Sequence, residues 1–169
     1  MKEISIEERE LVLLEVGMRT VREAIKGICT FGKPSARVNF EAAELWVKDN
    51  AHDINASKEL LRITFLGQLK NHAIAGLREY EFGDISAEDR RHVLSEVGMI
   101  IFRGDADKRG MLYIDVSSNI VRNVIVNWSE AAAWSTLRAL ELRVPEKTLR
   151  IIMLEYLRQR AIEEIEKYQ

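Results

Sequence analysis

The sequence predicts an all-α protein: a tandem duplication of a three-helix unit, packed as one pseudo-two-fold helical bundle, with a short β-hairpin as the alternative near 100–116. Three observations carry this expectation. The stretch "ISIEERELVLLEVGM" at 4–18 returns as "ISAEDRRHVLSEVGM" at 85–99, identical at ten of fifteen positions with an offset of 81. Two further blocks return in the same order with an offset of 88: "VNFEAAELW" at 38–46 as "VNWSEAAAW" at 126–134, and "LRITFLGQLKNHAIAGLREYE" at 61–81 as "LRIIMLEYLRQRAIEEIEKYQ" at 149–169. The 169 residues also include only two prolines and nine glycines, so little interrupts a helical pattern. The division is 1–81 and 82–169, two repeat units fused into one compact domain. The difference of the offsets (88 − 81) puts seven extra residues into the second unit, between its first and second matched blocks.

Each element follows from local pattern. Ser5 and Ser86 stand where an N-cap belongs, with Glu8 and Asp89 three residues on, the spacing of a capping box. Val12, Leu13, Val16, Gly17, Thr20, Val21, Ala24 and Ile28 form one stripe at helical spacing and predict a single first helix. Phe40, Ala43, Trp46 and Val47 share a side of a second helix over 39–50. Leu61, Phe65, Leu69, Ala73, Leu77 and Tyr80 share a face of a third over 57–80. In the second unit, "SSNIVRNVIVNWSEAAAWSTLRALEL" spaces Val121, Val124, Trp128, Ala131, Ser135 and Ala139 as one long middle helix, and Pro145 suits the first turn of the last. For "MIIFRGDADKRGMLYIDV" a helix ending near Arg103, a loop through 104–110 and a short extended piece are expected.

Glycine inside a helix costs about 1 kcal/mol against alanine. Gly17 and Gly98, placed identically in the two units, are therefore expected to mark a close helix crossing. Phe40, Trp46, Trp128 and Trp134 occupy paired positions and are expected to anchor the core.

Composition excludes several classes of function. Hydrophobic residues make up 47% and charged residues 31%, a globular balance. Net charge is −2, spread evenly over the two units, so no overall basic field recruits nucleic acid or an anionic membrane. A single cysteine, Cys29, rules out an intramolecular disulfide and a four-thiolate zinc site, and fits a reducing cytoplasmic setting. No apolar run approaches the roughly 20 residues of a membrane span, and the acidic opening does not read as a leader peptide.

Candidate chemistry is sparse. "DADKRGMLYID" resembles an EF-hand calcium loop at Asp105, Asp107 and Gly110, with Asp115 as a further oxygen donor. It departs from the pattern at Arg109 and at Val116, where a bidentate Glu belongs. His92 has no counterpart histidine, since Leu11 stands there, and His72 corresponds to Arg160. Neither belongs to a catalytic constellation. Arg138, Arg143, Lys147, Arg150, Arg158 and Arg160 form a basic cluster in the second unit, interleaved with carboxylates; it is read either as salt-bridged helix faces or as a phosphate-gripping surface.

The functional expectation is a non-enzymatic interaction or assembly protein, acting through helix faces in a homo-oligomer or larger complex, with no cofactor and no membrane partner. The alternative is nucleic-acid binding through the Arg-rich face, as a regulator, a nucleoprotein subunit or a viral coat-like protein.

Overall fold

A computed structural model describes residues 4–55, 57–118 and 120–169. Among these residues the chain forms eight helices and four strands. The first half runs α1 (Ile6–Val16), α2 (Met18–Ile28), β1 (Cys29–Phe31), β2 (Ser35–Asn39), α3 (Phe40–Asn50) and α4 (Lys58–Arg78). The second runs α5 (Ala87–Val97), α6 (Met99–Lys108), β3 (Leu112–Ser117), β4 (Ile120–Asn127), α7 (Trp128–Leu142) and α8 (Glu146–Lys167). The fold is mixed α and β, which overturns the all-α bundle. Both halves show the same succession of two helices, two strands and two helices.

The helix starts obey their caps. The Glu8 N–H donates to Ser5 Oγ at 3.1 Å, and the Ser5 N–H donates to Glu8 Oε2 at 2.9 Å, a complete capping box. At α5 the Asp89 N–H donates to Ser86 Oγ at 3.0 Å. The shorter Asp89 side chain accepts from the Ser86 hydroxyl at 2.7 Å instead of reaching the backbone.

The expected single first helix is two helices, and the glycines are the reason. Gly17 has φ +85° and Gly98 has φ +73°, a conformation that L side chains rarely adopt. Each ends one helix, its N–H bonded to the carbonyl of Leu13 or Leu94, and starts the next. Among the described residues a Cβ at Gly98 would meet nothing within 4 Å, and one at Gly17 only Thr20 Oγ1 at 3.8 Å. The expected close crossing at Gly17 and Gly98 is therefore replaced by a sharp corner: the residues supply φ, not room.

The long middle helix expected over 117–142 is also corrected. Its first part, Ile120–Asn127, is strand β4. Asn127 closes the strand and caps α7, its side chain accepting from the Glu130 N–H at 3.1 Å. Asn39 does the same between β2 and α3, accepting from the Ala42 N–H at 3.0 Å. The recurrent "VN" is thus a strand end followed by a helix cap. The hairpin considered near 100–116 is displaced along the chain. Residues 100–108 are helical, and the hairpin pairs β3 with β4. Much of the second half's added length goes into this hairpin, whose strands have six and eight residues against three and five in β1 and β2.

The strands form one antiparallel sheet in the order β1-β2-β4-β3, so the halves meet at β2 and β4. Arg37 pairs with Ile125, its own counterpart at offset 88, while Ser35 pairs with Asn127 and Asn39 with Asn123. A two-fold axis through the Arg37–Ile125 pair produces this register. One sheet face buries Cys29, Ala36, Val38, Leu112, Val124 and Val126. The long helices α4 and α8 touch each other, α4 lying against β1 and α8 against β4.

Aromatic contacts cross between the halves reciprocally. Tyr168, just after α8, stacks on Phe40 at the start of α3 with centroids 3.9 Å apart. Tyr80, just after α4, lies tilted against Trp128 at the start of α7 at 4.9 Å. Each half thus places its terminal tyrosine on an aromatic ring of the other.

Candidate functional site

Three of the six basic residues singled out in the second half are committed inside the molecule. Arg138, on α7, donates through Nε to Asp105 Oδ2 at 2.8 Å and through Nη1 to Glu141 Oε2 at 2.6 Å. Arg158 donates through Nη1 to the Tyr80 carbonyl at 3.0 Å, with its guanidinium 4.7 Å from the Phe82 ring centroid. Arg160 lies 3.8 Å from Glu163 and 3.9 Å from Glu164. The other three gather around the turn between α7 and α8. Arg143 is the left-handed C-cap of α7, Lys147 is exposed in the first turn of α8, and Arg150 is half-buried one turn later.

The acidic candidates are not on one loop. Asp105 and Asp107 belong to the last turns of α6, and Asp115 to β3. Asp115 Oδ2 accepts from Asn123 Nδ2 at 3.4 Å, and Asn123 Oδ1 accepts from Arg37 Nη2 at 3.0 Å on the same sheet face. Among the described residues no group of three or more His, Cys, Asp or Glu side chains is placed to hold a metal ion. Asp105 instead joins α6 to α7, accepting from Trp134 Nε1 at 2.8 Å as well as from Arg138. Burial alone would raise its carboxyl pKa. The hydrogen bonds from Arg138 and Trp134, with the charges of Arg138 and Arg109, outweigh burial and lower it.

The aromatic anchors divide by depth. Phe40, Trp128 and Trp134 are buried. Trp46 is half-buried and stacks on Phe65 at 4.2 Å. Trp128 Nε1 is buried without a hydrogen-bond partner among the described residues, whereas Trp134 Nε1 has Asp105. Cys29 is buried, and burial pushes its thiol up to about 12, which keeps it a poor nucleophile at neutral pH. His72 and His92 are both exposed, on α4 and α5.

A fourth set of residues joins α3, α4 and the segment after α8. Arg62 holds Glu44 with Nη2 at 2.6 Å and Nε at 2.9 Å, and reaches the Gln169 carbonyl at 2.9 Å. The Tyr168 hydroxyl donates to Glu44 Oε1 at 2.9 Å. Burial, then the Glu44 hydrogen bond and charge, push the Tyr168 phenol up to about 12.

Two surface features escaped the sequence reading. The first is large apolar side chains left in water on helix faces, among them Leu11 and Leu14 on α1, Leu137 and Leu140 on α7, and the single Ile6 and Ile100 on α1 and α6. Leu14 is 80% exposed and Leu140 79%. The counterparts of the leucine pairs in the opposite half are polar: His92 and Ser95 for the α1 pair, Asp49 and His52 for the α7 pair. Comparing the two halves position by position would have found these residues, because a core residue has no reason to turn polar. The second is a hollow of about 310 Å³ between α2 and α4, lined by Arg22, Ile25, Lys26, Gln68, Asn71 and His72. It was invisible because it needs the corner at Gly17, which sets α2 against α4.

No protein-family model, curated protein or solved structure matches this chain. Among the described residues no helix is long and apolar enough to cross a membrane.

Proposed function

We propose that the chain is a non-catalytic assembly protein that associates through helix faces, copy to copy. The carrying observation is the pair of exposed leucine faces: Leu11 with Leu14 on α1, and Leu137 with Leu140 on α7. Residues three apart on a helix sit side by side, so each pair forms one apolar spot. Single exposed leucines are ordinary, but two paired spots are an interaction feature. Because each spot is polar at its counterpart position, the spots lie on non-equivalent surfaces of the two halves. Contact of an α1 face with the α7 face of the next copy is then heterologous, which builds rings or open chains and not a closed two-fold dimer.

Nucleic-acid binding through the Arg-rich face is the weaker reading, since three of its six cations already have intramolecular partners.

A mixing experiment tests the assembly reading. Leu14→Glu and Leu140→Glu each block one face, and each variant alone is expected to run as a monomer on size-exclusion chromatography with light scattering. Mixed, they retain one complementary pair of faces and form a heterodimer that grows no further. If both variants assemble like the wild type, the helix faces do not drive association.

A further inference from the structure

We propose that the hollow between α2 and α4 is a binding site for a small phosphate monoester of about nucleotide size. Arg22 and Lys26 stand one turn apart on α2 and form its cationic wall; Gln68, Asn71 and His72 of α4 form the opposite wall; Ile25, buried beneath, is the apolar floor. Among the described residues no carboxylate lines it. Glu23 meets Lys26 at 3.4 Å with both side chains more than 60% exposed, a contact that yields readily to a stronger anion. Arg22 has no hydrogen-bond or ion-pair partner among the described residues, so its five donors face a prospective ligand without a competitor.

The ligand class follows from this chemistry. A guanidinium grips phosphate oxygens in a planar fork, and an ammonium one turn away adds the second charge that balances a dianion. The amides of Gln68 and Asn71 donate and accept, which suits a ring edge or sugar hydroxyls. The volume, about 310 Å³, falls at the lower end of ligand cavities and holds one small molecule. A net charge of −2 opposes a long polyanion, so a single phosphate group is favoured over a nucleic-acid strand.

The second half supplies an internal control. At the counterpart positions Lys26 becomes Asp107, Gln68 becomes the bulky Tyr156, and His72 becomes Arg160. Tyr156 is half-buried; burial raises its phenol, and the charges acting on it are mixed, Arg160 and Arg103 against Asp107 and Glu163. Arg160 itself is held by Glu163 and Glu164. That place carries a bulkier side chain and charges of both signs, whereas the first half's hollow is lined by cations and neutral groups.

Isothermal titration calorimetry of the full chain tests the site with three probes: adenosine 5′-monophosphate, inorganic phosphate, and a short single-stranded oligodeoxynucleotide. The monophosphate is expected to bind one per chain and more tightly than inorganic phosphate. Lys26→Asp should weaken it roughly tenfold or more by reversing one charge. Gln68→Tyr should abolish it by filling the hollow while leaving the charges in place. Both replacements copy residues that the second half already carries at these positions, and an unchanged circular dichroism spectrum verifies folding. The proposal is overturned by absence of monophosphate binding at millimolar concentration, or by binding that survives both substitutions. Tighter, strongly salt-dependent binding of the oligonucleotide also overturns it, in favour of a nucleic-acid surface. Neither variant touches the leucine faces, so this outcome is independent of the assembly reading.

Discussion

Asp105 illustrates what one residue does when its partners are distant in sequence. Its carboxylate accepts from Trp134 and Arg138, 29 and 33 positions away, and so fastens α6 to α7. Asp105→Asn should cost about 1–3 kcal/mol at neutral pH, the worth of a half-buried charged hydrogen bond. The folded carboxyl lies below its ordinary value of 3.8, so its stabilisation is complete above that pH and is lost as pH falls through the folded value. Urea unfolding of wild type and variant should therefore show a stability gap at pH 7 that narrows below about pH 4. A gap of constant size would mean that the charge is not what matters. The sequence placed Asp105 in an EF-hand-like loop because spacing alone reveals local neighbours only. The same limit explains the successes. Ser5 and Ser86 were legible as caps because their partners are three residues away. The glycines at 17 and 98 were legible as special, yet their role was not, since close approach and positive φ leave the same mark in sequence.

At the scale of elements, β4 shows why a strand was read as a helix. Val121, Val124 and Trp128 fall at helical spacing and run on smoothly into α7. Only the β-branched density of "IVRNVIV" argued otherwise, a weaker signal than periodicity when the next residues are helical. The short β1 and β2 gave less warning still, with three and five residues. By contrast α4 and α8 were legible, because a run of more than twenty residues carries its stripe through several turns. The C-terminal end of α8 is tied to the first half by Tyr168, which stacks on Phe40 and donates to Glu44. Tyr168→Phe keeps the stack and removes the hydrogen bond, at an expected cost of about 1 kcal/mol. A phenol raised from about 10 to about 12 stabilises the fold fully below pH 10 and loses that contribution as pH rises towards 12. The ultraviolet difference titration of wild type against this variant should show one tyrosine ionising near 12. Ionisation near 10 would mean that the Tyr168 hydroxyl is solvated.

At the scale of the whole molecule, two halves with the same succession of elements share one sheet and exchange terminal tyrosines. The pairing of Arg37 with its counterpart Ile125 gives this union approximate two-fold character at the sheet. Surface chemistry departs from that symmetry. The leucine pairs stand where the other half has polar residues, and Gln68 beside the α2–α4 hollow corresponds to the bulkier Tyr156. Buried positions in the two halves answer to one shared packing problem, so they stay alike. Exposed positions are free to diverge, and there the halves take on separate tasks. The offset between the matched blocks was legible, but which differences faced water was not, because that depends on the sheet and on the glycine corners.

The central claim is that these unmatched leucine faces join one copy to the next. Sedimentation velocity of the wild-type chain across a wide concentration range tests it most directly. The account predicts a weight-average mass above the 19.5 kDa of one chain, rising with concentration as copies add end to end. A single 19.5 kDa species at every concentration would contradict it.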